Sequence, residues 1–221
     1  MSAFHLRYVD GAPVPFTLGK IVCVGRNYAA HAAELNNPIP DKPLLFMKPA
    51  TAACDLAQPL DIPKALGSVH FETELAVLIG KELKKATPEA VPGAIAGWGL
   101  ALDLTLRDIQ SELKEKGHPW ERAKAFDGAC PLSAFLPADR LDPSEAIAFS
   151  LEIDGKPRQS GNTANMLTPI APLIAAMSQS FTLQPGDVIL TGTPEGVGEL
   201  QSQQQLKLAL EDQLVVETHV A

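Results

Sequence analysis

The stretch SVHFETELAVLIG (residues 68–80) places two glutamates at the start of an apolar run that is typical of a buried β-strand. Side chains alternate along a strand, so Glu72 and Glu74, two positions apart, are expected to point the same way. Two ionised carboxylates held that close repel each other, and each is costly to remove from water. The pair therefore indicates either a strand that begins in solvent or a bound divalent cation.

The composition predicts an ordinary globular protein. The chain has 221 residues, of which 46% are hydrophobic and 20% are charged, and this predicts a single domain. A formal net charge of -8 argues against a nucleic-acid partner and against an anionic membrane surface. No apolar run approaches the roughly 20 residues that span a bilayer.

The N-terminal residues and the cysteines both favour a cytoplasmic protein. The opening MSAFHLRYVDGAPVPF lacks the basic and apolar regions of a signal peptide. The three cysteines lie far apart and form no CxxC pair, which suits reduced thiols. We therefore expect a cytoplasmic location and no membrane partner.

Nineteen prolines and sixteen glycines divide the chain into short elements, which favours strands and loops over a helical bundle. The predicted strands are residues 19–25, 43–48, 73–80, 95–104, 147–154, 186–192, 205–212 and 213–220, with a tight turn at 211–213. The predicted helices are residues 27–35, 105–117 and 168–181. These elements predict a β-rich fold with a few peripheral helices.

Capping residues set the expected helix ends. Asn27 and Thr105 are candidate N-caps, Gly117 is a stop signal, and Pro169 is placed at the first helical position. The loose segment 26–42, which ends in NNPIPDKP, is predicted to be a mobile lid over the active site.

A third carboxylate strengthens the case for a metal site. Asp103 interrupts an apolar strand in GLALDLTLRDIQ, either as a helix N-terminal partner or as a ligand. Three carboxylates with no nearby cysteine suit a hard ion such as Mg²⁺, Mn²⁺ or Ca²⁺. Neutralising one of them should relieve repulsion in the metal-free protein.

Three further motifs could carry chemistry. His31 and Glu34 in NYAAHAAEL are three apart on a helix, which suits either a general base for water or an ordinary surface pair. Lys124, in RAKAFDGACPL, is either a snorkelling surface lysine or a buried cation. The loop LTGTPEGVG (residues 190–198) lacks the phosphate-loop lysine, but its N–H groups could bind a carboxylate; otherwise it is a plain turn.

Seven motifs follow one another along the chain: KIVCVGRNYAAHAAEL, FMKP, VHFETELAVLIG, GLALDLTLRD, AKAFDGACPL, GNTANM and GDVILTGTPEGVG. Together they resemble the fumarylacetoacetate hydrolase family, in particular its small single-domain branch. The resemblance implies a β-rich α+β fold, a mixed β-sandwich or β-roll with peripheral helices, as one catalytic domain over residues 1–221. It also implies a homodimer that uses Mg²⁺ or Mn²⁺.

The resemblance assigns roles to individual residues. It implies metal ligands at Glu72, Glu74 and Asp103, and catalytic residues at His31, Glu34 and Lys124. It implies substrate contacts at Arg26, Arg107, Gln110, Gly192 and Thr193.

The implied activity is hydrolysis of a carbon–carbon bond in acylpyruvates, which are 2,4-diketo acids, through a pyruvate enolate. Decarboxylation or keto–enol tautomerisation of oxaloacetate in the same site is the alternative, and the His31–Glu34 pair favours hydrolysis. A different class, a non-catalytic calcium-binding β-protein, would use the three acids but would leave His31, Glu34 and Lys124 without a role.

Overall fold

The computed structural model describes residues 4–221, so the first three residues of the predicted domain lie outside the description. Within this range the chain forms fifteen β-strands and four α-helices. The strands are β1 (Ile21–Gly25), β2 (Leu44–Lys48), β3 (Ala53–Asp55), β4 (Val69–Phe71), β5 (Thr73–Ile79), β6 (Ile95–Leu102), β7 (Thr105–Leu106), β8 (Cys130–Leu132), β9 (Leu136–Pro137), β10 (Ala148–Ile153), β11 (Lys156–Asn162), β12 (Val188–Leu190), β13 (Gly198–Glu199), β14 (Gln205–Leu210) and β15 (Leu214–His219). The helices are α1 (Ala29–Glu34), α2 (Arg107–Glu115), α3 (Glu121–Lys124) and α4 (Ile170–Ser180).

An eight-stranded mixed sheet forms the centre of the molecule. Its strands follow the order β2-β1-β12-β5-β6-β8-β3, and β9 pairs with β6 off this path. β1 runs parallel to β12 and β3 runs parallel to β8, whereas the other pairs are antiparallel. Every residue of β5 is buried, which explains the continuous apolar run over residues 75–79.

A four-stranded antiparallel sheet, β11-β10-β14-β15, packs against the central sheet through contacts of β10 with β5 and of β14 with β6. In β14 the residues alternate, so that Leu206 and Leu208 are buried while Lys207 is exposed. This two-sheet arrangement with few helices confirms the predicted β-rich sandwich.

The smallest sheet, β13-β4-β7, positions the polar residues of the site. β4 ends at Phe71 and β5 begins at Thr73, so the chain passes from one sheet to the other at Glu72. The two glutamates therefore do not share one continuous strand, although both remain buried.

The helix starts differ from the sequence-based expectation. The N-caps of α1, α2 and α4 are Tyr28, Leu106 and Pro169, and none of them makes a side-chain cap hydrogen bond. The predicted caps Asn27 and Thr105 are therefore wrong. Asn27 Nδ2 instead donates to the Thr168 and Thr191 carbonyls, because tertiary partners compete successfully with the local cap.

The predicted helix stop at Gly117 and the predicted turn at 211–213 are both confirmed. Gly117 follows α2 with a φ of +64°, and its N–H donates to the Lys114 carbonyl. A turn over residues 211–213 joins β14 to β15. In the described part of the chain, no helix is long and apolar enough to cross a bilayer.

Candidate active site

Glu72, Glu74 and Asp103 converge in the interior. Each is buried, and one carboxylate oxygen from each lies within 4.8 Å of the others. Glu74 belongs to β5 and pairs with Ala101 of β6, two residues before Asp103. The Asp103 N–H donates to the Glu72 carbonyl at 2.8 Å, which fixes the two segments side by side. Of the two expectations for the glutamate pair, exposure to solvent is therefore excluded.

Lys124, the last residue of α3, neutralises part of this charge. Its Nζ donates to Glu72 Oε2 at 2.8 Å, to Asp103 Oδ2 at 2.7 Å and to Thr105 Oγ1 at 2.7 Å. Because an ammonium has three protons, all of its donors are engaged. Burial alone would lower the pKa of Lys124, but Asp103 and Glu72 outweigh it and raise the pKa to about 12. Lys124 is a buried cation and not a snorkelling surface lysine.

A second buried lysine was missed by the sequence analysis. Lys48, at the end of β2, is fully buried, and its Nζ lies 2.8 Å from Asp103 Oδ1. It also donates to the carbonyls of Lys124 and Ala129, the latter at 2.9 Å. The available signal was a lone cation that ends an apolar strand in FMKP.

Glu72 has a second cationic partner in Arg107, the first residue of α2. Arg107 also donates through Nη1 to Gln110 Oε1 at 2.6 Å, one turn along the helix. Burial would raise the pKa of Glu72, but Lys124 and then Arg107 hold it well below its ordinary value. Glu72 is therefore ionised in this site.

Glu74 differs from its two neighbours. No lysine, arginine or histidine of residues 4–221 lies within 4.0 Å of its carboxylate. Its one strong contact is the Gly192 N–H, which donates to Oε2 at 2.6 Å. Burial and the nearby Asp103 raise the pKa of Glu74 well above its ordinary value. Gly192 has a φ of +101°, and a Cβ there would lie 2.7 Å from Asn27 Cβ, so only glycine fits.

This donor set fits a hard divalent cation. Three buried carboxylates converge with oxygen as the only ligand atom, a combination that Mg²⁺ and Mn²⁺ prefer. Glu74 is a buried carboxylate without a cationic partner among the described side chains, and a bound cation would supply one.

The predicted pair on α1 is close but not hydrogen-bonded. His31 Nδ1 lies 3.5 Å from Glu34 Oε2 and is buried without a hydrogen-bond partner. Glu34 instead accepts the Gly196 N–H at 3.1 Å. The loop after β12 thus directs two N–H groups, from Gly192 and Gly196, at carboxylates, and it is not a plain turn.

One cavity collects most of the predicted site residues. Nine of them line it: Arg26, His31, Glu72, Glu74, Asp103, Arg107, Gln110, Lys124 and Thr193. Glu34 and Gly192, the other two, are not among the lining residues. Gln159 is another residue that the sequence did not reveal. Its Nε2 donates to the Thr193 hydroxyl at 2.8 Å, and its Oε1 accepts the Thr73 N–H at 2.9 Å.

Comparison with known proteins finds a matching family model and several named relatives. Residues 20–221 match the family model described as fumarylacetoacetate (FAA) hydrolase C-terminal. The chain is 55% identical over 204 residues to oxaloacetate tautomerase YcgM of Escherichia coli, covering 91% of this chain and 93% of that protein. It is 40% identical over 190 residues to the mitochondrial oxaloacetate tautomerase FAHD1 of Bos taurus, covering 86% of each.

Solved structures agree with this placement. A putative fumarylacetoacetate hydrolase family protein from Yersinia pestis superimposes with a TM-score of 0.95 at 52% identity, covering 99% of this chain and 100% of that one. A fumarylpyruvate hydrolase from Pseudomonas aeruginosa, in complex with Mn²⁺ and pyruvate, gives a TM-score of 0.92 at 33% identity, covering 100% and 97%. The chain belongs to the fumarylacetoacetate hydrolase family.

Proposed function

We propose that this protein is a divalent-metal-dependent oxaloacetate keto–enol tautomerase. The observation that carries the proposal is a buried, convergent carboxylate triad in a chain 55% identical to an oxaloacetate tautomerase. The sequence favoured acylpyruvate hydrolysis and kept decarboxylation or keto–enol tautomerisation of oxaloacetate as the alternative. The most similar of the named relatives support that alternative better than the main expectation.

The triad supports Mg²⁺ or Mn²⁺ as the cofactor, with Glu72, Glu74 and Asp103 as its ligands. The related fumarylpyruvate hydrolase structure, which contains Mn²⁺ and pyruvate, supports the same choice. A bound ion would act as a Lewis acid on the 2-oxygen of the keto acid, which eases proton loss from the enol and polarises the ketone.

Tautomerisation moves one proton between the 2-oxygen and C3, and the chain needs one group that carries it. His31 is that group in this proposal, because it lines the cavity and its Nδ1 is directed towards Glu34. Nε2 is then the nitrogen available to substrate, and it gives a proton to C3 in one direction and removes it in the other. Glu34 orients the ring once the 3.5 Å gap to Nδ1 shortens.

Lys124 holds the triad together rather than exchanging protons. Its pKa is raised to about 12, so it stays charged near neutral pH. Two of its three N–H donors hold Glu72 and Asp103 in one orientation in the metal-free site. This arrangement limits the reorganisation required when the site is filled.

Acylpyruvate hydrolysis is the second candidate, because a fumarylpyruvate hydrolase shares the fold at 33% identity. The His31–Glu34 pair does not separate the two reactions. A base that could deprotonate water for hydrolysis could equally move a proton at C3. Hydrolysis additionally requires room for an attacking water beside the 4-carbonyl carbon.

The test compares reactions on one preparation. The protein should accelerate the decay of the enol absorbance of oxaloacetate when Mg²⁺ is present. It should not accelerate this decay when a chelator replaces the metal. The value of kcat/KM for this decay should exceed those for cleavage of acetylpyruvate and fumarylpyruvate. Faster cleavage of either diketo acid would reverse the order of the two candidates.

A further inference from the structure

One face of helix α2 lines the cavity, and it includes a residue that the proposed chemistry does not use. Arg107, Gln110 and Lys114 all line the cavity. Their spacing of three and four places them on one side of the helix. Arg107 and Gln110 are engaged with Glu72 and with each other. Lys114, one turn further on, contacts none of the triad carboxylates.

Two cations at this cavity have no acidic partner among residues 4–221. The cavity lining contains four cationic side chains, Arg26, Arg107, Lys114 and Lys124, and three carboxylates. Arg107 pairs with Glu72, and Lys124 pairs with Glu72 and Asp103, whereas Arg26 and Lys114 lie within 4.0 Å of no carboxylate. The two unpaired charges therefore give the cavity a local positive surplus in a protein whose net charge is -8.

The partners that these two side chains do have are neutral oxygens of the segment 35–42. Lys114 Nζ donates to Asn37 Oδ1 at 2.8 Å, and Arg26 Nη1 makes a long contact of 3.4 Å with the Pro38 carbonyl. Lys114 is an exposed residue whose partial desolvation lowers its pKa, and repulsion from the charges of Arg26 and Arg107 lowers it further. An anion placed between them would remove this repulsion.

The backbone conformation of Arg26 supports a binding role for its side chain. Its φ is +61°, a left-handed conformation that is uncommon outside glycine and that is found at functional positions. The next residue, Asn27, is fixed by hydrogen bonds to Thr168 and Thr191. The chain thus turns sharply between the end of β1 and an anchored residue, with the guanidinium at the cavity.

We propose that Lys114 and Arg26 form a carboxylate subsite that receives the second carboxylate of a dicarboxylic keto acid. The inference rests on the proposed function, in which the first carboxylate lies at the triad end of the cavity. Lys114 is then the residue that favours a dicarboxylate such as oxaloacetate over a keto acid that ends in a methyl group. Arg and Lys side chains bind carboxylates through charge-assisted hydrogen bonds, which suits this role.

Malate and lactate test the subsite without turnover, because they differ only in the second carboxylate. Calorimetric titration of the Mn²⁺-loaded wild-type protein should give a Kd for malate about tenfold lower than that for lactate, the effect of roughly one charge-assisted hydrogen bond. Lys114→Met or Arg26→Met should remove most of this preference by weakening malate alone.

Lys116→Met is the matched control. Lys116 directly follows helix α2, is exposed and is paired with Glu112, and it does not line the cavity. It should leave both dissociation constants unchanged, and all variants should bind Mn²⁺ as the wild type does. Equal affinity of the wild type for malate and lactate, or equal weakening of both by Lys114→Met, would overturn the subsite. The protein could prefer malate through Lys114 and yet fail to tautomerise oxaloacetate. That result would retain the subsite and reject the proposed function.

Discussion

Lys48 and Asp103 form an ion pair in the interior, with Nζ and Oδ1 2.8 Å apart and neither side chain exposed. The same lysine donates to the backbone carbonyls of Lys124 and Ala129. One buried ammonium therefore joins β2, a carboxylate of the triad and the segment that carries Lys124. Its position makes Lys48 a positioning residue for the site.

Replacing Lys48 should destabilise the metal-free protein. Lys48→Met leaves Asp103 with one cation fewer and removes the Nζ donor to the Lys124 and Ala129 carbonyls, and breaking a buried pair costs about 3–5 kcal/mol. Chemical denaturation should show a loss of that size, whereas Lys84→Met, at an exposed lysine, should change the free energy of unfolding by under about 0.5 kcal/mol. A Lys48→Met protein as stable as wild type would contradict the positioning role.

The carboxylates of the triad should respond differently to neutralisation. The sequence analysis expected relief of repulsion at each of them, but Asp103 is paired with Lys48 and Lys124. Asp103→Asn should therefore destabilise the metal-free protein by about 3–5 kcal/mol. Glu74→Gln should leave it at least as stable as wild type, because Glu74 has no cationic partner in the described chain and the amide oxygen still accepts the Gly192 N–H.

Both of these variants should lose tight Mn²⁺ binding. Calorimetric titration with Mn²⁺ measures this loss, and thermal melts with and without Mn²⁺ check it independently. Equal stability of Asp103→Asn and Glu74→Gln without metal would show that the pairing with lysine does not determine the result.

His31 should be required for turnover and not for the metal. A positioned general base contributes about 10²–10⁴-fold, so His31→Ala should slow oxaloacetate tautomerisation by that factor. Its Mn²⁺ affinity should match that of wild type. Glu34→Gln should have a smaller effect, because Glu34 makes no hydrogen bond to Nδ1 in this structure. A larger effect at Glu34 than at His31 would contradict this assignment.

The predicted lid can be followed by amide hydrogen exchange. Within the predicted lid, residues 26–42, the part from 29 to 42 should exchange quickly in the metal-free protein and slow down with Mn²⁺ plus oxalate, because closure would order it. Asn27 and Tyr28 should change little, because hydrogen bonds and a bridge to Met166 already anchor them. The β14–β15 hairpin is the internal control. Uniform protection across 29–42 in both states would argue against a lid.

Much of the fold was predictable because its signals are local. The apolar runs of β5 and β6 and the turn at 211–213 depend on neighbouring residues, and each appears close to its expected position. The short strands β4 and β7 were not predicted, because three or two residues carry no usable periodicity. Asn27 was misassigned because its hydrogen-bond partners lie more than 140 residues away in the chain.

Local sequence signals also determine which site residues could be predicted. The triad follows from carboxylates placed in apolar strands, a pattern that is visible in the sequence. Lys48 and Gln159 act through contacts between distant segments, so even the lone cation in FMKP could not show which group Lys48 contacts. The homodimer and the lid stay predictions.

The most direct test of the central claim follows the C3 proton of oxaloacetate in D₂O. With Mg²⁺ and the protein present, NMR should show deuterium entering C3 faster than in the same solution with chelator, and faster than pyruvate accumulates. This result would mean that the enzyme interconverts the enol and keto forms without breaking a carbon–carbon bond. Exchange no faster than the chelated control, or pyruvate formed as fast as deuterium enters, would contradict a tautomerase.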